Sequence, residues 1–301
     1  MEITKLTPRG FCKGVVAAIH IINKALENNN LKKPIFMLGN IVHNKNIVKA
    51  FKEKGIITLD GPSRLKMLED INEGTIIFTA HGVSDRVREL AIKKGLDVID
   101  ATCRDVTKTH DLIKEKLSEG YLVLFYGKEN HPETEGALGI SDNIILIQDD
   151  TNPEDLPIYK DKMIITNQTT MSYLDLITCY ERLKTVFPQL ELMDEVCGAT
   201  RRRQEAVINA SDLDLIIVVG DKLSNNTKML KELAINKTKT NAIQVETIQD
   251  LENIDLSAYN KIGITAGAST PMAIVEEIIY NLENRTNNYI SFLKSIDYLK
   301  G

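Results

Sequence analysis

The sequence has no tryptophan, only four cysteines, and no apolar run near the length of a membrane span. Its longest apolar runs are short pieces such as 215–219, whereas a span needs about 18 residues. The first ten residues contain no apolar signal core, so export is not indicated. Lysine and arginine number 37 against 42 acidic residues, which disfavours a general nucleic-acid binder. These absences predict a cytoplasmic protein that binds neither nucleic acid nor membrane.

Two short motifs are also missing. No Cys-x-x-Cys pair occurs, so a zinc finger or zinc ribbon is disfavoured. No Gly-x-Gly-x-x-Gly fingerprint occurs, so a bound dinucleotide is not indicated. The composition is 43% hydrophobic and 26% charged, as in globular proteins, and 301 residues suffice for two or three compact domains.

Three of the cysteines mark an internal repeat. Cys12, Cys103 and Cys197 are 91 and 94 residues apart, and each stands where a predicted strand runs into a predicted helix. Two further landmarks follow each cysteine at similar distances: an apolar run that ends in glycine, and a second apolar run that ends in small or polar residues. Three copies of one plan are indicated. Cys179 does not obey the repeat and is predicted to be a buried, structural cysteine.

Each copy alternates short strands with longer helices, which predicts α/β units around small, mostly parallel sheets. We assign residues 13–103, 104–197 and 198–284 to the three units, and 285–301 to a C-terminal tail. The third copy lacks a final strand of its own. We therefore predict that the N-terminal segment 1–12 completes it and closes the three copies into a ring.

The ends of the strands carry the chemistry. Ligands of parallel sheets lie beyond the carboxyl ends of the strands, where helix N-termini present N–H groups. Three thiolates at such positions make a soft site, suited to an iron–sulfur cluster or to zinc. The same ends supply hydrogen-bonding side chains, which can hold a diphosphate without a basic groove, namely His43, His81, His131, Glu133, Thr169, Ser224, Asn226 and Ser269.

Within this set, Glu133 is the carboxylate that could carry a proton, and Glu135 is its rival. We expect this segment to be extended, so that the side chain of Glu135 points the other way from that of Glu133. Two other histidines, His20 and His110, fall inside helical patterns and are predicted to be structural. The Arg201–Arg203 run near a helix start is predicted to be a solvated face.

Several short motifs occur in order along the chain, namely RGFCKGV around Cys12, VHN (42–44), AHGVS (80–84), DATC (100–103), VTK (106–108), NHPETEG (130–136), QTT (168–170), RQEA (203–206) and TAGAST (265–270). Together they resemble one family, the 4-hydroxy-3-methylbut-2-enyl diphosphate reductases. The resemblance runs from about residue 8 to 282.

The resemblance implies a trefoil of three α/β units around a central iron–sulfur cavity. It implies a [4Fe-4S] cluster held by Cys12, Cys103 and Cys197, with one open iron, and Glu133 as the proton relay. The reaction would be the last step of the methylerythritol phosphate route to isoprenoids, and electrons would come from a ferredoxin or flavodoxin with its reductase. By the same resemblance the allylic diphosphate is bound by His43, His81, His131, Thr169, Ser224, Asn226 and Ser269.

The sequence departs from the family at two positions. Asn225 stands where a serine is usual; its amide can still donate, so it is kept among the substrate-binding candidates. Lys13 follows a cluster ligand and could alter the potential of the cluster or the docking of a donor. Two other classes of function use the same residues, namely a zinc hydrolase and a non-catalytic cluster protein that senses iron or oxygen.

Overall fold

A computed structural model describes residues 1–28, 30–156, 161–252 and 254–284. The predicted tail, 285–301, lies outside the described residues. Within them, no helix is both long and apolar enough to cross a membrane.

The described residues form twelve strands and ten α-helices, and successive strands are separated by an α-helix except at two places, where a short 3-10 helix intervenes. The strands are β1 (Glu2–Lys5), β2 (Ile35–Leu38), β3 (Ile56–Leu59), β4 (Thr75–Phe78), β5 (Asp97–Asp100), β6 (Leu122–Tyr126), β7 (Ile144–Ile147), β8 (Met163–Asn167), β9 (Leu190–Leu192), β10 (Leu215–Val219), β11 (Asn241–Val245) and β12 (Lys261–Ala266). The helices are α1 (Lys13–Leu26), α2 (Lys45–Glu53), α3 (Arg64–Glu69), α4 (Asp85–Lys93), α5 (Arg104–Ser118), α6 (Pro132–Leu138), α7 (Tyr173–Lys184), α8 (Gly198–Ile208), α9 (Asn225–Asn236) and α10 (Met272–Glu283).

The strands form three sheets of four parallel strands each, which confirms the predicted fold class. Their orders are β3-β2-β4-β5, β7-β6-β8-β9 and β11-β10-β12-β1. In every sheet the first strand of a copy lies between the second and the third, and a closing strand follows on the far side of the third. In the last sheet that closing strand is β1, which pairs in parallel with β12, as predicted from the sequence.

The chain folds into two compact units. The first contains the described residues of 1–16, 42–55 and 198–284, and its core is built on the sheet β11-β10-β12-β1. The second contains the described residues of 17–41 and 56–197 and carries the other two sheets, each with an apolar core. The three predicted domain limits and the trefoil arrangement stay predictions.

The inner strands of the three sheets are mostly apolar because both of their faces are covered. All five residues of β6, β8 and β10 are buried. Parallel strands that are buried on both faces expose no alternate polar residues, so polar side chains are confined to the strand ends. This distribution leaves the loops after the strands as the places where functional groups can lie.

Candidate functional site

The three repeat cysteines occupy the same local position. Each immediately precedes the first residue of a helix, α1, α5 or α8. Each also donates its backbone N–H to a carbonyl in the loop after the third strand of its own sheet. These bonds join Cys12 to Ala268 at 3.0 Å, Cys103 to Ala80 at 3.0 Å, and Cys197 to Thr169 at 3.1 Å.

This position suits a thiolate ligand. None of the three cysteines forms a disulfide and all are partly exposed, and Cys12 Sγ accepts a hydrogen bond from the N–H of Val15 at 3.4 Å. The unpaired N–H groups of a helix start favour a negatively charged sulfur, which is the form that binds metal. The donor set therefore fits a thiolate-bound iron–sulfur cluster in its chemistry.

The fourth cysteine has the opposite surroundings. Cys179 lies in the middle of α7, is 3% exposed, and belongs to the apolar core beside β8. Burial raises the pKa of its thiol, which favours the neutral form. The prediction that Cys179 is a buried core residue is confirmed.

In the second compact unit, Glu133 and Thr169 are in direct contact. Glu133 lies in the first turn of α6 and is 2% exposed. Its Oε1 accepts a hydrogen bond from the backbone N–H of Thr169, and its Oε2 accepts one from the Thr169 hydroxyl at 3.1 Å. The carbonyl of the same Thr169 holds Cys197, so one loop serves both residues.

His131 precedes Glu133 and caps the same helix. Its Nδ1 accepts a hydrogen bond from the N–H of Glu133 at 3.1 Å. In the neutral ring the proton then lies on Nε2, which makes that nitrogen a hydrogen-bond donor. The His81 ring lies edge-on to the His131 ring, with 5.3 Å between the centroids. The structure thus brings together four of the predicted residues, which are His81, His131, Glu133 and Thr169.

The surroundings of Glu133 set its protonation. Burial raises the pKa of Glu133 from 4.5 to about 7, while the two hydrogen bonds from Thr169 act in the opposite direction and Asp105 adds to the rise. A carboxyl group with such a pKa is half protonated near neutrality, as a proton donor requires. Glu135 is different, because it forms an ion pair at 2.8 Å with the buried side chain of Arg64.

One sequence expectation about this segment is wrong. Residues 132–138 form the helix α6 and are not extended. The helix starts with Pro132 directly after the capping His131, and proline is well suited to a first helical position. Glu133 and Glu135 still face different ways, since residues two apart are not neighbours on a helix.

In the first compact unit, the predicted residues cluster after β10 and β12. Ser224 caps α9 by accepting a hydrogen bond from Thr227 at 3.4 Å, and its Oγ lies 3.3 Å from Ser269 Oγ. Ser269 Oγ donates to the carbonyl of His43 at 3.3 Å. Asn225, at the first position of α9, is buried too. His43, Ser224 and Ser269 are therefore brought together.

Asn226 connects this cluster to the Cys12 segment. Its Oδ1 accepts from the N–H of Ala268 at 3.0 Å, and its Nδ2 donates to Thr200 at 3.2 Å. Ala268 is the residue whose carbonyl holds Cys12. Both polar atoms of Asn226 therefore have protein partners, which fixes the orientation of the amide.

Sequence reasoning missed Asp221 in this unit. Asp221 is 4% exposed, and its Oδ2 accepts a hydrogen bond at 3.2 Å from the N–H of Lys45. Lys45 is the first residue of α2 and lies two residues after His43. Asp221 follows the glycine that ends the β10 run. That position matches the glycine-ended landmark of the repeat and is the signal that could have identified it.

The expectation for the arginine run is partly wrong. Arg202 is exposed and Arg201 is partly exposed, but Arg203 is 2% exposed. Its guanidinium donates to three backbone carbonyls of the first unit. Arg203 is therefore part of the interior of this unit and not part of a solvated face.

Three four-stranded parallel sheets, each with a cysteine in the same place before a helix, define a three-fold repeated α/β protein with three equivalently placed cysteines. The chain belongs to the LytB protein family, whose model matches residues 3–283. This is a family of metalloenzymes.

Two similar curated proteins are both named as reductases of the same diphosphate. The 4-hydroxy-3-methylbut-2-enyl diphosphate reductase of Lysinibacillus sphaericus is 47% identical over 96% of this chain and 90% of its own. The protein of that name from Bacillus cytotoxicus is 50% identical over 94% and 90%.

A solved structure agrees with them. The E-1-hydroxy-2-methyl-but-2-enyl-4-diphosphate reductase of Plasmodium falciparum matches with a TM-score of 0.87 and 32% identity, over 96% of this chain and 90% of that one.

Proposed function

We propose that this protein reduces (E)-4-hydroxy-3-methylbut-2-enyl diphosphate to isopentenyl diphosphate and dimethylallyl diphosphate, the last step of the methylerythritol phosphate pathway, in the cytoplasm. The observation that carries the proposal is the common position of Cys12, Cys103 and Cys197, which are partly exposed, form no disulfide and are each held by an equivalent backbone hydrogen bond. The reductase names of relatives 47–50% identical over nearly the whole chain support it.

The three cysteines would hold a [4Fe-4S] cluster with one open iron. Bound there, the cluster supplies electrons one at a time and an open coordination position for the substrate hydroxyl. The absence of Cys-x-x-Cys pairs disfavours a zinc finger or zinc ribbon. The reductase names of the relatives favour this cluster over a catalytic zinc, because zinc has no redox chemistry.

The reaction must deliver protons as well as electrons. The bond between C4 and its hydroxyl oxygen breaks, two electrons and two protons are consumed, and water leaves, so that the carbon skeleton keeps its diphosphate. Glu133 is the group that we assign to proton delivery, because its carboxyl group is buried and has a pKa of about 7. The two hydrogen bonds from Thr169 hold that carboxyl group in one orientation.

The diphosphate would be held by uncharged donors. His131 presents Nε2–H, because its Nδ1 is occupied by the helix it caps. The proposed set is completed by His43, His81, Thr169, Ser224, Asn225, Asn226 and Ser269. Three of these, Ser224, Asn225 and Asn226, lie at the start of α9. Helix N-termini stabilise anions, so a diphosphate does not require a cluster of lysines and arginines here.

The electrons would come from another protein. Because the sequence contains no dinucleotide fingerprint, we assign the donor role to a ferredoxin or flavodoxin with its reductase. The partners proposed for the protein are this donor and the allylic diphosphate.

The test begins with anaerobic purification and analysis of iron, acid-labile sulfide and zinc. We expect about four irons and four sulfides per chain, and turnover of the allylic diphosphate with a reduced viologen dye as electron source. A single zinc without sulfide would replace the proposal with a zinc hydrolase. A complete cluster without binding of the diphosphate by calorimetry would replace it with a cluster sensor.

A further inference from the structure

Arg203 is a buried cation for which the proposed reaction has no direct use. It lies on α8 and is 2% exposed. Its Nη2 donates to the carbonyl of Gly10 at 2.6 Å, and its Nη1 donates to Ala199 at 2.9 Å. Its Nε donates to Ala266 at 3.3 Å. Burying a guanidinium is unfavourable unless its N–H groups are satisfied, so these three carbonyls indicate what the residue is for.

Two of the three carbonyls belong to the segments that fix Cys12. Gly10 lies two residues before Cys12 in the chain. Ala266 is the last residue of β12 and lies two residues before Ala268, whose carbonyl accepts the N–H of Cys12. One side chain therefore ties together the segment that carries the cysteine and the segment that holds it.

Cys12 needs such a tie more than the other two cysteines. Six residues separate it from the end of β1, whereas four separate Cys197 from β9 and two separate Cys103 from β5. A longer irregular segment has more conformational freedom to lose when it is ordered. Gly10 also has φ +79°, a backbone conformation that favours glycine, and a Cβ there would lie 2.8 Å from the methyl group of Met272. The backbone at Gly10 therefore has little room for a side chain.

We propose that Arg203 is a positioning residue that holds the segment 6–12, and with it the sulfur of Cys12, in place to bind the cluster. The role rests on the proposed function, in which Cys12 is a ligand. Arg203 acts through the backbone carbonyls of Gly10 and Ala266. Lysine cannot replace it fully, since a single ammonium does not match the planar set of five guanidinium donors.

The first test uses the full-length chain without metal. We would compare the wild type with Arg203→Lys and Arg203→Met, and use Val207→Ala, a buried residue one turn further along α8, as the matched control. Hydrogen exchange of residues 6–12 and the rate of alkylation of each cysteine would be measured by peptide mapping.

We expect Arg203→Met to speed exchange in 6–12 and to change the alkylation rate of Cys12 by about tenfold, the effect of one lost charge-assisted hydrogen bond. Cys103 and Cys197 should keep their rates, and Arg203→Lys should be intermediate. Val207→Ala should loosen the core of this unit without singling out 6–12. Because Arg203→Lys keeps a buried cation, it provides the comparison even if Arg203→Met does not fold.

The second test uses protein loaded with cluster. Under a fixed chelator challenge, Arg203→Lys should lose iron faster than Val207→Ala. The proposal is overturned if Arg203→Lys matches the wild type in both exchange of 6–12 and alkylation of Cys12, or if the three cysteines respond equally. The metal-free measurements decide the role of Arg203 even where iron analysis goes against the proposed function.

Discussion

The raised pKa of Glu133 predicts how the stability of the protein depends on pH. Its carboxyl group has a pKa of about 7 in the folded chain and about 4.5 in an unfolded one. Below pH 4.5 both states are protonated, so the group has no effect on the free energy of unfolding. Between 4.5 and 7 the folded state binds more protons than the unfolded state, so stability falls as the pH rises. Above pH 7 the full penalty is present.

The size of the effect follows from the shift. The difference between a pKa of about 7 in the folded chain and one of 4.5 in the unfolded chain corresponds to roughly 3 kcal/mol. Between pH 5 and 8, Glu133 should therefore lower the free energy of unfolding by about 2 to 3 kcal/mol. In Glu133→Gln the side chain cannot ionise, so this part of the pH dependence should disappear. Its amide can still accept the hydrogen bond from the N–H of Thr169, which limits other losses.

The assay is urea unfolding of the metal-free chain at several pH values, with Glu129→Gln as the control. Glu129 is an exposed carboxylate four residues before Glu133. The stability curve of Glu129→Gln should run parallel to that of the wild type, whereas that of Glu133→Gln should rise relative to it as the pH increases. If the Glu133→Gln curve is parallel to the wild-type curve from pH 5 to 8, burial does not control this carboxyl group, and the argument for proton delivery loses its physical basis.

Three further predictions follow from the same contacts. Cys179→Ala should keep its iron and its absorbance in the visible, whereas Cys103→Ala should lose both; equal losses would contradict the division of the cysteines. At saturating substrate, Glu133→Gln should lose about 10²-fold or more in turnover, whereas Glu135→Gln should lose much less. The free energy of unfolding of Glu135→Gln should fall by roughly 1 to 3 kcal/mol, because Arg64 is left buried without its carboxylate partner. Gly139→Ala would place a methyl group 2.5 Å from the serine side chain that precedes α4, so calorimetry should show a lower melting temperature; an unchanged melting temperature would show that α6 can move aside.

The repeat could be predicted because its signals are local. Each copy has three local signals, which are a cysteine, an apolar run that ends in glycine and an apolar run that ends in polar residues. Each signal marks the end of one strand, and the carboxyl ends of parallel strands lie at one edge of the sheet. The helices after the cysteines could be predicted for the same reason, and each begins at the residue that follows its cysteine: α1 at Lys13, α5 at Arg104 and α8 at Gly198. The pairing of β1 with β12 followed from the missing strand in the third copy.

The short helices after the glycine-ended runs could not be predicted in the same way. α6 has seven residues, too few for a periodic apolar pattern, and its stability comes from contacts that the local sequence does not specify. His131 caps it through a side-chain nitrogen, and Arg64 reaches Glu135 from another helix. The prediction that this segment is extended was wrong because the local sequence does not show these stabilising contacts.

The burial of Arg203 also could not be predicted from the local sequence. Three consecutive arginines indicate a solvated face, because a buried cation is unfavourable by itself. Arg203 is nevertheless buried, because its guanidinium donates to the carbonyl of Gly10, 193 positions away in the chain, and to the carbonyl of Ala266. No local pattern reports such a partner. A charge is stabilised in an interior by groups that the fold brings to it, so a side chain of this kind is identified only once its acceptors are known, and those acceptors also indicate its purpose.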